Sequence, residues 1–222
     1  MILSDAQADI AVDYIDHMGS DIHVVNAARV SFDKHAGRYL KQHNDNLIRY
    51  LAKHKHYSPF GHCFASFKVK APIFVARQLV KHEYLRWNEI SRRYVDTEPE
   101  LYYPEDWRGK AEDKKQGSIS GRDGVVELDH FTNNSLTSCM NDALHRYRDL
   151  LDAGVCPEQA RMVLPQATMT EWYWSGSLDA FSNMCNLRLK PDTQEETRKV
   201  AEMISYRMGD LFPVSWLSLY EP

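Results

Sequence analysis

Residues 77–94 hold five cations and only two carboxylates, in a chain of 222 residues whose formal net charge is −4. The residues just before them, 69–76, are almost all apolar and are expected to be buried. A charged cluster that emerges directly from a core element is less readily explained as a solvated surface. Together with His82, Tyr84 and Trp87, the cations suit a phosphorylated, planar heterocyclic ligand.

Alternating apolar and polar residues predict a strand over residues 64–70. Pro72 suits the first turn of a helix, because it has no N–H to lose there, and the following apolar residues predict a central buried helix over residues 72–83. Residues 84–104 show no regular pattern and contain Pro99 and Pro104. The cation-rich stretch would then begin on a helix and continue in a loop.

The rest of the chain favours helices. Apolar periodicity and capping residues predict six more of them, with few strands in between. They begin at Asp21, at Asn44 or Asp45, at about residue 125, at Pro157, after Ser177, and at a Thr193–Glu196 capping box. Residues 1–15 and 168–174 are the other candidate strands.

We therefore predict an α+β fold, helix-rich with a small central sheet, in a single domain over residues 1–222. The polar residues 106–124 are expected to form a surface excursion from it. The chain shows neither a G-x-G-x-x-G fingerprint after a strand nor a phosphate-binding P-loop. A nucleotide would need another kind of site.

Composition narrows the class of protein. An isoelectric point near 6.2 argues against duplex nucleic acid as the main partner. The four cysteines form no C-x-x-C pair, so reduced thiols in a cytoplasmic protein are expected. Neither a secretory leader nor an apolar run of membrane-spanning length is visible, so no membrane association is expected.

The sequence contains candidate residues for two kinds of catalytic site, a metal site and a nucleophile. His54, His56 and His62 could bind zinc, but no Cys or carboxylate stands at a matching offset, so no metal is predicted. Cys185 and Ser91 could act as nucleophiles, but neither lies in a nucleophile motif. Cys185 is more simply a small core residue.

A nucleotide pocket explains more of the sequence. Ser91, Arg92 and Arg93 can hold a phosphate through hydroxyl and bidentate hydrogen bonds. Arg161 follows Pro157 closely and is a further candidate. Arg188 stands near a predicted helix end, where the helix dipole alone could account for a cation.

The motifs of this chain resemble those of a known family. Lys81-His82-Glu83, seven residues and then Ser91 are similar to the Arg-His-Arg-x7-Ser signature of the flavin-dependent thymidylate synthases. Further segments look like that family, in order, over nearly the whole chain. They are residues 26–33, 54–62, 70–78, 88–94, 160–165 and 186–188.

The resemblance implies an enzyme that makes dTMP from dUMP. Its carbon donor would be 5,10-methylenetetrahydrofolate, its reductant NADPH and its cofactor FAD. It would be a homotetramer with active sites where subunits meet. It would need no nucleophile from the protein. Its location would be the cytoplasm, or the host cytoplasm if the source is viral.

Site residues carry over from the resemblance by position. Arg188 would be catalytic, stabilising the pyrimidine as its N3 side gains negative charge. The dUMP ligands would be Gln78, Lys81, Glu89, Ser91, Arg92, Arg93, Arg161 and Arg188. The FAD contacts would be His56, Ser58, Lys81, His82, Glu83, Asn88, Glu89, Ser177, Asp179 and Asn183.

The chain departs from the family pattern at five of these positions. Lys81 and Glu83 replace arginines, Arg92 replaces a glycine, Ser177 replaces an asparagine and Asp179 replaces an arginine. Glu83 and Asp179 remove positive charge where FAD phosphates are expected.

Three alternative functions remain open. They are a methylase or hydroxymethylase acting on dCMP or a modified dUMP, a nucleotide-binding protein without flavin, and, less favoured, a single-stranded RNA binder.

Overall fold

The computed structural model describes residues 7–111, 117–119 and 122–220. These residues cluster into two compact units. Unit 1 comprises residues 1–11, 70–79 and 89–172, and unit 2 comprises residues 12–69, 80–88 and 173–222. The prediction that the whole chain acts as one domain stays a prediction.

The described residues form eight α-helices and six strands. The helices are α1 (Asp21–Arg29), α2 (Lys41–Lys53), α3 (Ile73–Leu79), α4 (His130–Asp152), α5 (Pro157–Ala160), α6 (Leu178–Arg188), α7 (Glu195–Leu211) and α8 (Pro213–Leu219). The strands are β1 (Ala11–Met18), β2 (Phe64–Pro72), β3 (Leu85–Glu89), β4 (Trp107–Arg108), β5 (Val125–Val126) and β6 (Met169–Ser177). The predicted α+β fold is confirmed.

A four-stranded sheet has the order β1-β2-β6-β3. Within unit 2, the alternation of β2 places Phe67 in the core, fully buried. The Phe67 ring meets Phe181 of α6 edge to face at 5.3 Å, and Phe181 meets Trp174 of β6 in the same way at 5.6 Å. These aromatic contacts attach α6 to one face of the sheet.

Unit 1 has its own apolar cluster, in which Leu101 packs with Met140 and Leu144 of the long helix α4. The helix begins at His130, because the side chain of Asp129 accepts the Thr132 N–H at 2.9 Å and caps its first turn. The predicted start, at about residue 125, was five residues too early. The first two residues in between, Val125 and Val126, form β5, which pairs antiparallel with β4.

The surface excursion predicted over residues 106–124 stays a prediction. Its ends are tied by β4 and β5, and a bridge joins Lys110 to Ser118. Residues 112–116 and 120–121 lie outside the described part of the chain. Among the described residues, no helix combines the length and apolarity needed to cross a bilayer.

Two predicted caps were wrong. Asp21 begins α1, but its carboxylate accepts the N–H groups of Val214 and Ser215 and so caps α8, a helix that sequence analysis missed. Thr193 does not cap α7: its hydroxyl donates to the Leu187 carbonyl at 3.2 Å, and Gln194 is the residue before the helix. The predicted start of α2, at Asn44 or Asp45, was also wrong, because the helix begins at Lys41.

The helix predicted over residues 72–83 ends at Leu79. A turn follows, in which Tyr84 adopts a left-handed φ of 62°. β3 then begins at Leu85, where an irregular segment was predicted. Pairing with β6 stabilises this strand, and Gly176 of β6 allows a close approach: a Cβ there would lie 2.4 Å from Cδ2 of Leu85.

Candidate active site

His82 and Arg188, which are 106 residues apart in the sequence, are joined by a hydrogen bond in unit 2. His82 lies in the turn between α3 and β3, and Arg188 is the last residue of α6. Nε of Arg188 donates to Nε2 of His82 at 2.9 Å. Because Nε2 accepts, the imidazole is neutral and carries its proton on Nδ1.

Burial and the neighbouring cation both disfavour a second proton on this ring. Desolvation, and then the charge of Arg188, lower the pKa of His82 to about 4. Desolvation also lowers the pKa of Arg188, although a guanidinium remains charged throughout the physiological range. The pair therefore consists of a neutral acceptor and a half-buried cation.

In unit 1, Ser91 and Arg93 form a second group. The Ser91 hydroxyl oxygen accepts both the backbone N–H and the Nε–H of Arg93, each at 3.3 Å. The guanidinium of Arg93 also lies over the Tyr94 ring, 5.0 Å from its centroid. The structure thus places two of the predicted phosphate ligands side by side, with the Arg93 side chain exposed.

Other predicted dUMP ligands of unit 1 have protein partners. Arg92 donates to the Thr97 carbonyl, which closes the loop between them. One carboxylate oxygen of Glu89 accepts the hydroxyl of Thr170 on β6 at 2.7 Å. Thr170 was not among the predicted site residues, although the alternation of residues 168–174 puts its side chain on the buried face of that strand.

Gln78 and Arg161 each contact a nearby carbonyl within unit 1. The Gln78 amide donates to Phe74 at 3.5 Å, along α3. Arg161 donates through Nε to the carbonyl of Glu158 at 3.2 Å, and its side chain is exposed. Both side chains carry N–H groups that could donate hydrogen bonds to a phosphate.

The predicted FAD contacts of unit 2 lie on three segments. His56 and Ser58 are exposed just after α2, where His56 meets Tyr50 edge to face at 6.2 Å. Lys81, Glu83 and Asn88 are exposed on the turn and on β3. His82 is half-buried between two exposed neighbours, so its side chain has a different environment from theirs.

The third segment is the start of α6. Ser177 precedes the helix, and Asp179 and Asn183 are four residues apart on one side of it. Within the described residues, the buried Oδ1 atom of Asp179 has no hydrogen-bond partner. An unpartnered carboxylate oxygen suits a hydroxyl or amino donor, and it does not suit a phosphate.

The remaining candidate residues are the histidines considered for a metal site and the cysteine considered as a nucleophile. His54 and His56 have ring centroids 6.3 Å apart, and the described residues contain no group of three or more potential metal ligands. Cys185 is fully buried, and desolvation raises the pKa of its thiol far above the usual value. A thiol in that environment is a poor nucleophile.

Comparison with known proteins gives matches over most of the chain. Residues 13–214 match the family model described as thymidylate synthase complementing protein, Thy1. A flavin-dependent thymidylate synthase of Thermus thermophilus is 40% identical over 207 residues, which are 93% of this chain and 74% of that protein. One from Thermosipho africanus is 37% identical over 84% of this chain and 80% of its own length.

Solved structures give a similar result. The UMP/dUMP methylase PolB from Streptomyces cacaoi, bound with 5-Br dUMP, matches with a TM-score of 0.84 and 32% identity, covering 97% of this chain and 99% of that one. The same methylase bound with 5-Br UMP matches with a TM-score of 0.82, covering 97% of both chains.

Proposed function

The chain belongs to the Thy1 family of flavin-dependent thymidylate synthases, and from that premise we propose that it converts dUMP to dTMP. The carbon donor is 5,10-methylenetetrahydrofolate, and NADPH is the reductant. FAD, when bound, supplies the hydride. The observation that carries the proposal is the likeness to synthases and to a pyrimidine-nucleotide methylase over nearly the whole length of the chain.

The residues of unit 1 supply groups for the nucleotide phosphate. The exposed Arg93, with Ser91 beside it, offers a charged fork and a hydroxyl. Arg161 and Gln78 are the other donors that we assign to dUMP in this unit. Arg92 contributes by closing the loop through Thr97, in addition to any contact with the ligand.

In unit 2 we assign Arg188 to the pyrimidine. Its cation stabilises negative charge that develops on the N3 side of the ring, and its partial burial strengthens that effect. We expect Arg188→Ala to abolish turnover while circular dichroism and thermal unfolding stay close to wild type. Normal dTMP formation by this variant would refute the assignment.

We assign the predicted FAD residues to the cofactor, with one adjustment for the two carboxylates. Lys81 supplies a cation, and Asn88 and Asn183 supply amide donors, all with exposed side chains. Glu83 and Asp179 carry negative charge and do not suit phosphate, so we assign them to hydroxyl or amino groups of the cofactor. His56, Ser58, His82, Glu89 and Ser177 complete the proposed FAD contacts.

A second candidate substrate is UMP, which the likeness to a UMP/dUMP methylase favours. The test uses purified, FAD-loaded protein with dUMP, UMP and dCMP, each tritiated at C5. Tritium release and methylated product from dUMP support the main proposal. Turnover of UMP or dCMP with none of dUMP would replace it, and a protein that binds dUMP but stays colourless with FAD would be non-catalytic.

Assembly and location complete the proposal. We infer a homotetramer with active sites at the subunit interfaces, in the cytoplasm. Four chains of 25.8 kDa give a mass of about 103 kDa, which light scattering after gel filtration measures directly. A stable monomer with full activity would contradict active sites shared between subunits.

A further inference from the structure

Arg29, the last residue of α1 in unit 2, is a buried cation. The residue is 8% exposed, and its Nη1 atom is buried without a hydrogen-bond partner. Within the described part of the chain, the only hydrogen-bonding, ionic or aromatic interaction of its guanidinium is with the Tyr39 ring, whose centroid lies 3.6 Å from Cζ. Buried guanidinium groups are normally paired, because taking their charge out of water costs free energy. The described residues therefore leave a place for an anion beside Arg29.

The loop of residues 30–40 holds Tyr39 in this position. Its buried residue Ala36 is fixed from both helices that the loop joins: Asn26 of α1 accepts its N–H at 2.9 Å, and Asn44 of α2 donates to its carbonyl at 3.3 Å. Asn44 is 7% exposed, and its Oδ1 atom also has no hydrogen-bond partner among the described residues. Buried polar atoms without partners are rare in native proteins and indicate a water molecule or a ligand.

The surroundings of Arg29 indicate the kind of ligand. Tyr39 covers one face of the guanidinium, so the N–H groups remain in its plane, where a carboxylate can accept two of them. Val30, Phe32 and Leu40 in the same loop are 72%, 71% and 71% exposed. Exposed apolar side chains beside a cation suit an anion that is attached to an apolar or aromatic body.

We propose that Arg29 and Tyr39 form a binding site for a carboxylate on an aromatic body, and that the ligand is the glutamate end of the folate. The identity of the ligand rests on the proposed function, whose carbon donor carries an aminobenzoyl ring joined through an amide to a glutamate. Of the ligands in that reaction, the folate alone carries carboxylates. Helix α1 also packs against residues 60–62, which follow the proposed FAD contact Ser58.

Calorimetric titration of the purified chain, with FAD present, tests the site with N-(4-aminobenzoyl)-L-glutamate as the probe. Arg29→Gln removes the cation and should raise the Kd of the probe roughly tenfold or more. Arg29→Lys keeps the charge without the planar fork and should give an intermediate loss. Arg38→Gln is the matched control, because Arg38 is an exposed arginine of the same loop, and it should change Kd by less than about twofold.

Two results of this titration would overturn the site. One is a Kd that is equal in wild type and Arg29→Gln, or no saturable binding to wild type, which would leave a buried water as the explanation of the unpaired atoms. The other is equally tight binding of 4-aminobenzamide, which has the ring without the carboxylates.

Thermal unfolding separates a ligand site from a structural cation. An unpaired buried charge does not stabilise a fold, so Arg29→Met should unfold without ligand at a temperature equal to or above that of wild type. The probe should raise the unfolding temperature of wild type and not that of the variant. A large fall in the unfolding temperature of ligand-free Arg29→Met would show that the fold itself needs the cation, and would overturn the proposal.

Steady-state kinetics connects the site to the reaction. Arg29→Gln should raise KM for 5,10-methylenetetrahydrofolate roughly tenfold, with a smaller change in kcat and no change in KM for dUMP. A chain that binds the probe through Arg29 but forms no dTMP would retain the carboxylate site and refute the proposed function. A chain that forms dTMP with the same folate KM in wild type and Arg29→Gln would refute the assignment of the folate to this site.

Discussion

The carboxylate of Asp21, in the first turn of α1, accepts the backbone N–H of Ser215 at 2.9 Å. Its other oxygen accepts the N–H of Val214, also at 2.9 Å. These are N–H groups of the first turn of α8, which have no partner within that helix. One side chain thus ties residues that are almost two hundred positions apart.

We expect Asp21→Ala to lower the free energy of unfolding by about 1–2 kcal/mol, because the first turn of α8 loses its cap. Asp21→Asn should lose less, since one oxygen remains as an acceptor. Chemical denaturation with circular dichroism measures both. Asp16→Ala is the control, because Asp16 is exposed and, among the described residues, accepts a hydrogen bond only from the adjacent His17 N–H. A loss at Asp16 as large as that at Asp21 would contradict the capping role.

Gly176 sets the spacing between β6 and β3. In Gly176→Ala the new Cβ would lie 2.4 Å from Cδ2 of Leu85 and 3.0 Å from the Tyr84 carbonyl oxygen. Leu85 is buried, so we expect a loss of about 1–3 kcal/mol in stability. Gly37→Ala should be nearly neutral, because no atom lies within 4 Å of the added methyl group. Equal thermal stability of the two variants would show that the sheet accommodates the clash.

The four thiols should react in two classes. Cys139 and Cys156 are exposed, whereas Cys63 and Cys185 are buried. Burial raises the pKa of the Cys63 thiol to about 11, so little thiolate is present at pH 8. With an aromatic disulfide reagent, we expect two thiols to react quickly in the native protein and all four after denaturation. Fast reaction of four thiols without denaturant would contradict the buried placement.

His82 should make stability depend on pH between about 4 and about 6.5. In this window the unfolded chain binds a proton at His82 and the folded protein does not, so acidification lowers the free energy of unfolding. Above pH 6.5 the effect vanishes. After allowance for solvent screening we expect a loss on the order of 1–2 kcal/mol.

The measurement compares wild type with His82→Gln by denaturant titration at pH 7.5 and pH 5. Other histidines titrate in both proteins, so only the difference between the two reports on His82. Wild type should lose more stability than the variant. Identical losses would mean that His82 has a similar pKa in the folded and unfolded states.

Glu83→Arg should tighten the binding of FAD. The substitution replaces a negative by a positive charge on an exposed turn, where the cofactor phosphates are expected. We expect a roughly three- to tenfold lower Kd, measured by flavin fluorescence, with a smaller effect at high salt. Glu127→Arg makes the same charge change at an exposed position outside the FAD set. A gain of equal size at Glu127 would indicate a nonspecific effect of net charge.

Local patterns predicted the elements whose stabilising contacts are local. The alternation of residues 64–70 indicated β2, and Ser177 correctly marked the residue before α6. The same reasoning extended α3 through Glu83, because neither a proline nor a glycine interrupts the residues after Leu79. What ends the helix is the pairing of β3 with β6 and the left-handed turn at Tyr84, which depend on residues far away in the sequence.

The candidate site shows the same difference between local contacts, which the sequence can predict, and long-range contacts, which it cannot. The resemblance named His82 as a FAD contact and Arg188 as a dUMP ligand, but no local pattern indicates that one donates to the other across 106 positions. The contact between Glu89 and Thr170 was missed for the same reason. In contrast, Ser91 and Arg93 are two residues apart, and their proximity was predictable from the sequence.

The turn that carries Lys81, His82 and Glu83 has a consequence for how such an enzyme can diversify. On a buried helix, reversing a charge would disturb packing on several sides. On this turn the two outer side chains face solvent, while His82 alone reaches the guanidinium. We therefore expect substitutions at positions 81 and 83 to change affinity for the proposed cofactor with little penalty to the scaffold.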